Sequence, residues 1–390
     1  MKINSQEKIV KELLKILSEL NLERRKGIHE PYFNKKEIIY VQKSINSTYV
    51  STVGDFIKKF ENEIKNFTKS KYAVATVNGT SALHISMMTL GIGLNHEVLI
   101  PNLNYIGSSN ATIYCGASPH FVDVDSKYLG IDTNKLWDYL KKNTFKKKNQ
   151  TFNKKTLKKI AAIAPTHIFG QPSEMNEILT ISQEFNLKII EDAAESLGSF
   201  YKQKHTGTIG DVGILSFNGN KIITTGGGGM ILTNNFEIYK KAKMLSQVAK
   251  KPHPWKYEYN GLGFNYRMPN LNASLGCAQI KKLKNLLKEK EKLYANYKSK
   301  FKNLNEFYLL KELPNTKCNN WLITIILKKK NKNLLDKILK TTNKNGFNTR
   351  PVWQLLSQVP HLKKYPKMDL SNSINLSKAI VCLPSSVKLQ

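Results

Sequence analysis

The sequence predicts an α/β fold built on a mostly parallel sheet. Between residues 71 and 233 short apolar runs recur, each ending in small or polar residues and usually followed by a helical pattern. The runs are continuously apolar rather than alternating, which is typical of strands covered on both faces by helices. The seven runs are "YAVATV" (72–77), "EVLIP" (97–101), "HFVDVD" (120–125), "IAAIAPTH" (160–167), "LKIIED" (187–192), "VGILSF" (212–217) and "GMILT" (229–233).

Two segments inside and before this region need their own interpretation. In "EKIVKELLKILSEL" (7–20) apolar residues recur at helical spacing, so we expect an amphipathic helix that docks on the rest of the protein. The lysine-rich stretch "KKKNQTFNKKTLKK" (146–159) is most simply a solvated connection before the fourth strand.

From about residue 275 the pattern changes, which predicts a smaller α+β domain. A long charged helix is expected over 279–301, an apolar run "WLITIIL" over 321–327 and a second helix over 333–346. The predicted organisation is an N-terminal helical segment (1–45), a large domain (46–275) and a small C-terminal domain (276–390).

The formal net charge of +32 does not by itself indicate a nucleic-acid-binding protein. Nearly all of the positive charge is lysine spread along the chain, whereas phosphate and base recognition relies on clustered arginine. The chain has four arginines, Arg24, Arg25, Arg267 and Arg350. We therefore expect no nucleic-acid partner, although an anionic small substrate suits this charge.

The cysteines predict a protein of the reducing cytoplasm. Cys115, Cys277, Cys318 and Cys382 lie far apart, with no CxxC pair and no histidine at metal-ligand spacing. Neither a metal site nor a disulfide framework is indicated. No segment has the length of uncharged apolar sequence that a membrane span requires, so no membrane association is expected.

The first predicted strand ends in a group suited to phosphate. In "ATVNGTSALHISMM" the strand runs through Gly79, Thr80 and Ser81 directly into a helix, whose N-terminus offers free N–H groups and two hydroxyls. The alternative is that Thr80 is only the N-cap of that helix.

The fifth predicted strand ends in a carboxylate. In "IIEDAAES" Asp192 is followed by two alanines, which leave space for a flat group. A carboxylate at this edge can keep a heterocyclic nitrogen protonated. The alternatives are that Asp192 caps a helix and that Glu195 is its capping-box partner rather than a second ligand contact.

A lysine follows the sixth predicted strand. Lys221, in "SFNGNKIITTGGGGMILT", precedes the glycines 226–229, which allow a tight backbone return and leave room beside its amine. A semi-buried pocket lowers the pKa of a lysine enough for it to condense with an aldehyde. Ser216 can add a hydroxyl for phosphate. A phosphate cradle, a carboxylate for a ring nitrogen and a lysine for an aldehyde together indicate pyridoxal phosphate.

Three long blocks carry a resemblance to a known family. "VNGTSALHISMMTLGI", "EDAAESLGSFYKQKHTGTIGDVGILSFNGNKIITTGGGGMILT" and "GFNYRMPNLNASLGCAQI" resemble the DegT/DnrJ/EryC1/StrS sugar aminotransferases, which have fold type I of the pyridoxal-phosphate enzymes, a seven-stranded mostly parallel sheet between helices. "SFNGNKIITTGGGGM" and "KKPHPW" are most similar to the subgroup that aminates UDP-linked 4-keto-6-deoxy-N-acetylhexosamines in legionaminic-acid and bacillosamine pathways.

The resemblance implies a role for each matching residue. Lys221 would bind the cofactor and move protons, and Asp192 would pair with the pyridinium nitrogen. Tyr105 would stack on the cofactor ring, while Glu195 stands where many relatives have His or Gln beside the phenolic oxygen. The expected cofactor-binding set is Gly79, Thr80, Ser81, Tyr105, Asp192, Glu195, Ser216, Asn218, Lys221 and, from the second subunit of a homodimer, Asn265.

The diphosphate of a sugar nucleotide requires cations. Lys250, Lys251, His253 and Arg350 are candidates because they lie in irregular, Pro-flanked segments. Arg350 is favoured because arginine is scarce, whereas any one lysine is more simply solvated surface. Trp255 and Trp353 are interpreted as packing residues.

These inferences predict a homodimeric aminotransferase that moves an amino group from L-glutamate to carbon 4 of a UDP-linked 4-keto sugar. A dehydratase of the same fold is an alternative, but such enzymes have His in place of the lysine. A non-catalytic regulator that senses a ligand or binds DNA is the other alternative, and it is favoured by the charge alone.

Overall fold

The fold is described by a computed structural model that covers residues 5–20, 22–302 and 304–389. Within these residues sixteen strands form three sheets. The strands are β1 (Tyr72–Thr76), β2 (His96–Pro101), β3 (Ser118–Val122), β4 (Thr144–Lys147), β5 (Gln150–Asn153), β6 (Lys159–Ile163), β7 (Lys188–Asp192), β8 (Phe200–Tyr201), β9 (Lys204–His205), β10 (Val212–Ser216), β11 (Gly229–Thr233), β12 (Phe307–Leu309), β13 (Thr316–Lys317), β14 (Thr324–Leu327), β15 (Arg350–Pro351) and β16 (Ile380–Cys382).

The described residues also contain twelve α-helices. They cover the large sheet or lie in the C-terminal part, and several begin at an Asn or Asp N-cap. They are α1 (Ser5–Glu19), α2 (Lys35–Asn46), α3 (Asp55–Thr68), α4 (Gly79–Thr89), α5 (Gly107–Tyr114), α6 (Thr133–Asn143), α7 (Met175–Phe185), α8 (Phe236–Ser246), α9 (Asn270–Ile280), α10 (Leu283–Phe301), α11 (Lys332–Lys344) and α12 (Ser371–Leu376).

The large sheet confirms the predicted fold class. Its strand order is β1-β11-β10-β7-β6-β2-β3, and these seven strands correspond to the seven apolar runs. The pairs from β10 to β3 are parallel, and β11 is antiparallel to both of its neighbours, β1 and β10. Six of the seven strands therefore point the same way. Their side chains are almost wholly buried, as continuous apolar runs require.

The stretch 146–159 is not a solvated connection, and this prediction was wrong. It contains most of a hairpin, β4–β5, which extends the sheet by pairing with β6. Lys148 and Asn149 form its two-residue turn, both with positive φ, as a tight hairpin requires. Phe145 and Phe152 stack at 5.6 Å, and Thr151 is buried. Lysines at the exposed positions hid the alternation that marks these strands.

The C-terminal part contains a four-stranded antiparallel sheet, ordered β12-β14-β16-β15, together with α10 and α11. The long helix begins at Leu283 rather than 279, because α9 occupies the chain up to Ile280. Helix α1 packs against α11 and buries Leu13 and Leu17 completely, as its amphipathic pattern predicts. The proposed boundary after residue 275 falls inside α9, and the division into domains stays a prediction.

Two kinds of feature are absent from the described residues, a membrane-spanning helix and a metal-binding cluster. None of their helices is long and apolar enough to cross a bilayer. They also contain no cluster of three or more His, Cys, Asp or Glu side chains arranged to hold a metal ion.

Candidate active site

The carboxyl ends of β1, β7 and β10 open into one cavity of about 450 Å³. Strands that run in the same direction bring their carboxyl ends to the same sheet edge, which is why residues far apart in sequence meet here. The side chains and backbone of eight residues singled out from the sequence line this cavity: Gly79, Thr80, Tyr105, Asp192, Glu195, Ser216, Asn218 and Lys221.

One end of the cavity is formed by the start of α4. Asn78 is the N-cap of this helix, and its Oδ1 accepts a hydrogen bond from the N–H of Ser81 at 2.7 Å. The alternative that Thr80 is the N-cap is therefore wrong. Thr80 lines the cavity, whereas Ser81 is buried and does not. First-turn N–H groups have no partner within their own helix, so those of Gly79 and Thr80 suit an anion.

Small residues keep this end of the cavity narrow. A Cβ at Gly79 would lie 3.3 Å from the Cβ of Ser216, and one at Gly107 would lie 3.2 Å from Oγ1 of Thr80. The hydroxyls of Thr80 and Ser216 thus lie beside the first turn of α4, where the cavity leaves no room for larger side chains at Gly79 and Gly107. This arrangement can hold a phosphate group.

Asp192, the last residue of β7, is buried and lines the cavity. Its Oδ2 accepts a hydrogen bond from Ser108 Oγ at 2.6 Å, and its Oδ1 accepts one from the N–H of Ala194. Burial raises the pKa of this carboxyl, and the Ser108 hydroxyl opposes that rise. Neither hydrogen bond comes from a cation, so the carboxylate can still receive a charged N–H donor.

A second buried carboxylate holds the backbone beneath Asp192. Glu191 accepts hydrogen bonds from His167 Nε2 at 3.0 Å and from the N–H groups of Gly207, Ile209 and Gly210. His167 Nδ1 accepts the N–H of Ser173, and the backbone N–H of His167 donates to the carbonyl of Asp192. This network was not anticipated from the sequence, because its members alternate with the cavity residues and face away from the site.

The carboxylate of Glu195 contacts both the backbone of Phe169 and the amine of Lys221. Its Oε2 accepts the N–H of Phe169 at 2.7 Å, and its Oε1 lies 3.7 Å from Nζ of Lys221. Phe169 has a left-handed backbone, with φ of 56°, which costs a bulky residue some strain. Burial is the largest effect on the Glu195 carboxyl and raises its pKa to about 7. The capping-box alternative is not supported, because no helix begins at Asp192.

Lys221 follows β10 in a tight turn. Its N–H donates to the carbonyl of Asn218, and the chain then returns through Gly226, whose φ is +80°, to β11. Burial lowers the pKa of the amine, while Glu195 and then Asp192 oppose that change. An amine with a lowered pKa beside a carboxyl with a raised pKa is suited to exchanging protons.

Two tryptophans, Trp321 and Trp353, also line the cavity. The ring of Trp321 lies 3.8 Å from Nζ of Lys221, measured to the ring centroid. Trp353 also lines the cavity and stacks on Phe169 at 5.4 Å, so its interpretation as a packing residue alone was wrong. Its position three residues after Arg350, in the segment already singled out, was the available signal. Trp255 is 76% exposed and lies outside the cavity.

The remaining predicted residues lie elsewhere. Asn265 and Lys250 are exposed, and His253 is partly exposed with its Nδ1 accepting the N–H groups of Trp255 and Lys256. Arg350 is exposed, and its guanidinium donates to Asn343 Oδ1 and to the carbonyl of Thr349. None of the four lines the cavity.

The cavity fits the expected cofactor, pyridoxal phosphate. The narrow helix start suits the phosphate, and the buried Asp192 without a cationic partner suits a protonated ring nitrogen. Lys221 has an amine of lowered pKa in the same cavity, where an aldehyde can reach it.

Known proteins are similar to this chain in sequence and in fold. The GDP-perosamine synthase of Caulobacter vibrioides is 34% identical over 86% of this chain and 86% of its own length. The UDP-4-amino-4,6-dideoxy-N-acetyl-beta-L-altrosamine transaminase of Campylobacter jejuni is 32% identical over 71% of this chain and 70% of its own. The structure of the putative sugar aminotransferase Spr1654 from Streptococcus pneumoniae in its PLP form superposes with a TM-score of 0.83 at 20% identity, covering 95% of each chain.

A family model for the DegT/DnrJ/EryC1/StrS aminotransferases matches residues 31–390. The match confirms the predicted family, fold and enzyme class, and pyridoxal phosphate is the cofactor that this class uses. The chain therefore belongs to the DegT/DnrJ/EryC1/StrS aminotransferase family and is a sugar aminotransferase.

Proposed function

We propose that the protein transfers an amino group from L-glutamate to carbon 4 of a nucleotide-linked 4-keto-6-deoxy sugar. The observation that carries this proposal is the meeting of Lys221, Asp192 and the α4 start in one cavity. A pathway for a surface glycan or a nonulosonic acid would use the resulting 4-amino sugar.

Each cavity residue has a proposed role in this reaction. When bound, pyridoxal phosphate withdraws electrons from the carbon that loses its proton. Asp192 keeps the ring nitrogen protonated, and Gly79, Thr80 and Ser216 hold the phosphate. Lys221 Nζ accepts a proton and returns one at carbon 4 of the sugar, which requires an amine of lowered pKa.

Glu195 is proposed to face the phenolic oxygen of the cofactor. Two negative groups in contact would repel each other, but the raised pKa of this carboxyl allows it to be protonated near neutral pH. In that form it donates a hydrogen bond, as a His or Gln at this position would.

The favoured substrate is a UDP-linked 4-keto-6-deoxy-N-acetylhexosamine. The sequence blocks "SFNGNKIITTGGGGM" and "KKPHPW" support it, as does the C. jejuni transaminase named for a UDP-sugar. A GDP-linked 4-keto-6-deoxyhexose is the second candidate, because the C. vibrioides relative is a GDP-perosamine synthase. Lys250, His253 and Arg350 are proposed diphosphate contacts in either case.

We also propose a homodimer with shared sites. The segment 247–266 is largely exposed and carries large apolar side chains, including Trp255, Tyr257 and Leu262, each at least 74% exposed. Exposed apolar residues on this scale are typical of a surface that another chain covers. In such a dimer Asn265 would reach the phosphate of the neighbouring subunit.

The test is incubation of the purified protein with L-glutamate and either sugar nucleotide, followed by NMR of the product. We expect a 4-amino sugar from the UDP-linked substrate at a kcat/KM at least about tenfold above that of the GDP-linked one, since sugar pockets discriminate at this level. The reverse ratio would identify the GDP-linked substrate instead. Amination of neither sugar would contradict the proposal.

A further inference from the structure

The amine of Lys221 contacts both Trp321 and Glu195. The amine lies over the indole face, 3.8 Å from the ring centroid, and 3.7 Å from Glu195 Oε1. Trp321 is 2% exposed and the side chain of Lys221 is 13% exposed, so water screens this contact little. A cation over an indole face is stabilised by the electron density of the ring, most strongly where water is excluded.

Three hydrogen bonds fix Trp321, one through its indole and two through its backbone. Its Nε1 donates to the carbonyl of Asn220, the residue before Lys221, at 2.7 Å. Its backbone N–H donates to Asn319 Oδ1 at 2.9 Å, and its carbonyl accepts a hydrogen bond from Lys290 Nζ at 2.9 Å. Trp321 therefore holds the backbone beside Lys221 and the side chain of Lys221 at once.

Lys290 is an unusual anchor for this tryptophan. It is wholly buried on α10, and its Nζ donates hydrogen bonds to two carbonyls, those of Trp321 and Ser385. Through Lys290, these two hydrogen bonds link Ser385, which follows β16, to Trp321 in the wall of the cavity. A buried lysine held by neutral acceptors costs stability, so its presence here calls for a role.

We propose that Trp321, anchored by Lys290, is a positioning residue that holds the Lys221 amine beside Glu195 and favours its ammonium form. The proposal rests on the role assigned to Lys221 above. It explains how one buried amine can both accept and return a proton, because the ring counteracts part of the desolvation that favours the neutral form.

Other groups also act on this amine and must be held constant. Glu195 and Asp192 favour the ammonium form, and burial opposes it. His29 is buried close to Lys221 and Lys290, which both disfavour its charged form. A substitution at Trp321 changes none of these groups.

The test measures the pKa of Lys221 in the cofactor-free protein by competitive acetylation across pH, read by mass spectrometry. Cleavage by chymotrypsin after Phe217 and Leu232 gives a peptide in which Lys221 is the sole lysine. We compare Trp321→Leu with Trp353→Leu, which removes an indole from the same cavity but not from Lys221. The measurement needs no catalytic activity, so it is independent of which sugar the enzyme uses.

We expect Trp321→Leu to lower the pKa of Lys221 by about one unit, the size of a desolvated contact between a cation and an indole. Trp353→Leu should leave that pKa unchanged or raise it, because more water enters. Equal shifts in the two variants would overturn the proposal, since both would then report hydration alone. If Trp321→Leu does not fold, Trp321→Phe replaces it, and there a fall of about half a unit supports the proposal while an unchanged pKa contradicts it.

Discussion

The cavity edge of the large sheet and the segment 247–266 were both predicted to serve one site, but they lie in different surroundings. At the cavity edge, Asp192 and Glu195 are buried, the side chain of Lys221 is only 13% exposed, and each of the three has partners within its own chain. In the segment, Lys250 and Asn265 are exposed. One chain thus brings these three side chains together by itself, whereas the segment exposes side chains that another molecule could cover.

The largest expected effect concerns the buried lysine. Lys221→Ala should reduce transamination by about 10⁴-fold, because the residue proposed to move protons is lost. Lys146→Ala is the matched control, since Lys146 is an exposed lysine on β4 that pairs with Glu184 and does not line the cavity. Steady-state kinetics with the sugar nucleotide measure both variants. Equal losses in the two variants would show that the loss is not specific to the lysine at the cavity edge.

The next effect concerns the buried carboxylate. Asp192→Asn should reduce kcat by about 10²- to 10³-fold, because the amide cannot hold a proton on the ring nitrogen through a charged hydrogen bond. Asp369→Asn is the control, since its side chain is 70% exposed. A variant Asp192→Asn with nearly normal kcat would contradict the assignment of the ring nitrogen to this residue.

A mixed-subunit experiment tests the segment. Asn265→Ala alone should reduce activity about tenfold, the worth of one hydrogen bond to a charged group. Co-expression with Lys221→Ala subunits gives hybrid dimers in which one site has both native residues. Random pairing should then restore about a quarter of the wild-type activity. Activity that stays at the level of the separate variants would show that Asn265 does not serve the partner's site.

The smallest expected effect is that of Lys290 on how the free energy of unfolding changes with pH. Burial lowers the pKa of Lys290 from 10.5 to about 7, so between these values the unfolded chain binds more protons than the folded one. The free energy of unfolding should therefore rise with pH in this window, by up to about 1.4 kcal/mol per pH unit from this residue. Lys290→Met should flatten that rise in urea denaturation measured at pH 7 to 9.

Lys292→Met is the control for this prediction. Lys292 lies on the same helix and is mostly exposed, with Glu289 as its partner. This variant should keep the wild-type slope. If Lys290→Met also keeps it, the buried lysine does not carry the pH dependence.

The cavity residues could be predicted because strand ends are visible in sequence. Continuous apolar runs place Asp192 and Ser216 at one edge, and residues next to those ends follow them into the site. Trp321 could not be found this way, because it comes from a segment about 100 residues after Lys221, and its approach depends on how the C-terminal sheet docks. Hairpin β4–β5 was missed because lysines occupy its exposed face.

The contacts of residues in the segment 247–266 could be predicted neither from strand ends nor from an alternating strand pattern. Their spacing shows an irregular, Pro-containing stretch, but irregular backbone has no period from which a facing direction follows. Contacts of Lys250 and His253 with a diphosphate, and of Asn265 with a second subunit, therefore stay proposals that rest on the resemblance and on exposure.

The central claim is that Lys221 is the residue that binds the cofactor covalently. The direct measurement is borohydride reduction of the protein loaded with pyridoxal phosphate, followed by mass spectrometry of the chymotryptic peptide that contains residues 218–232. The account predicts a pyridoxyl group on Lys221 at a stoichiometry near one per chain. A modification spread over other lysines, or its absence from this peptide, would contradict it.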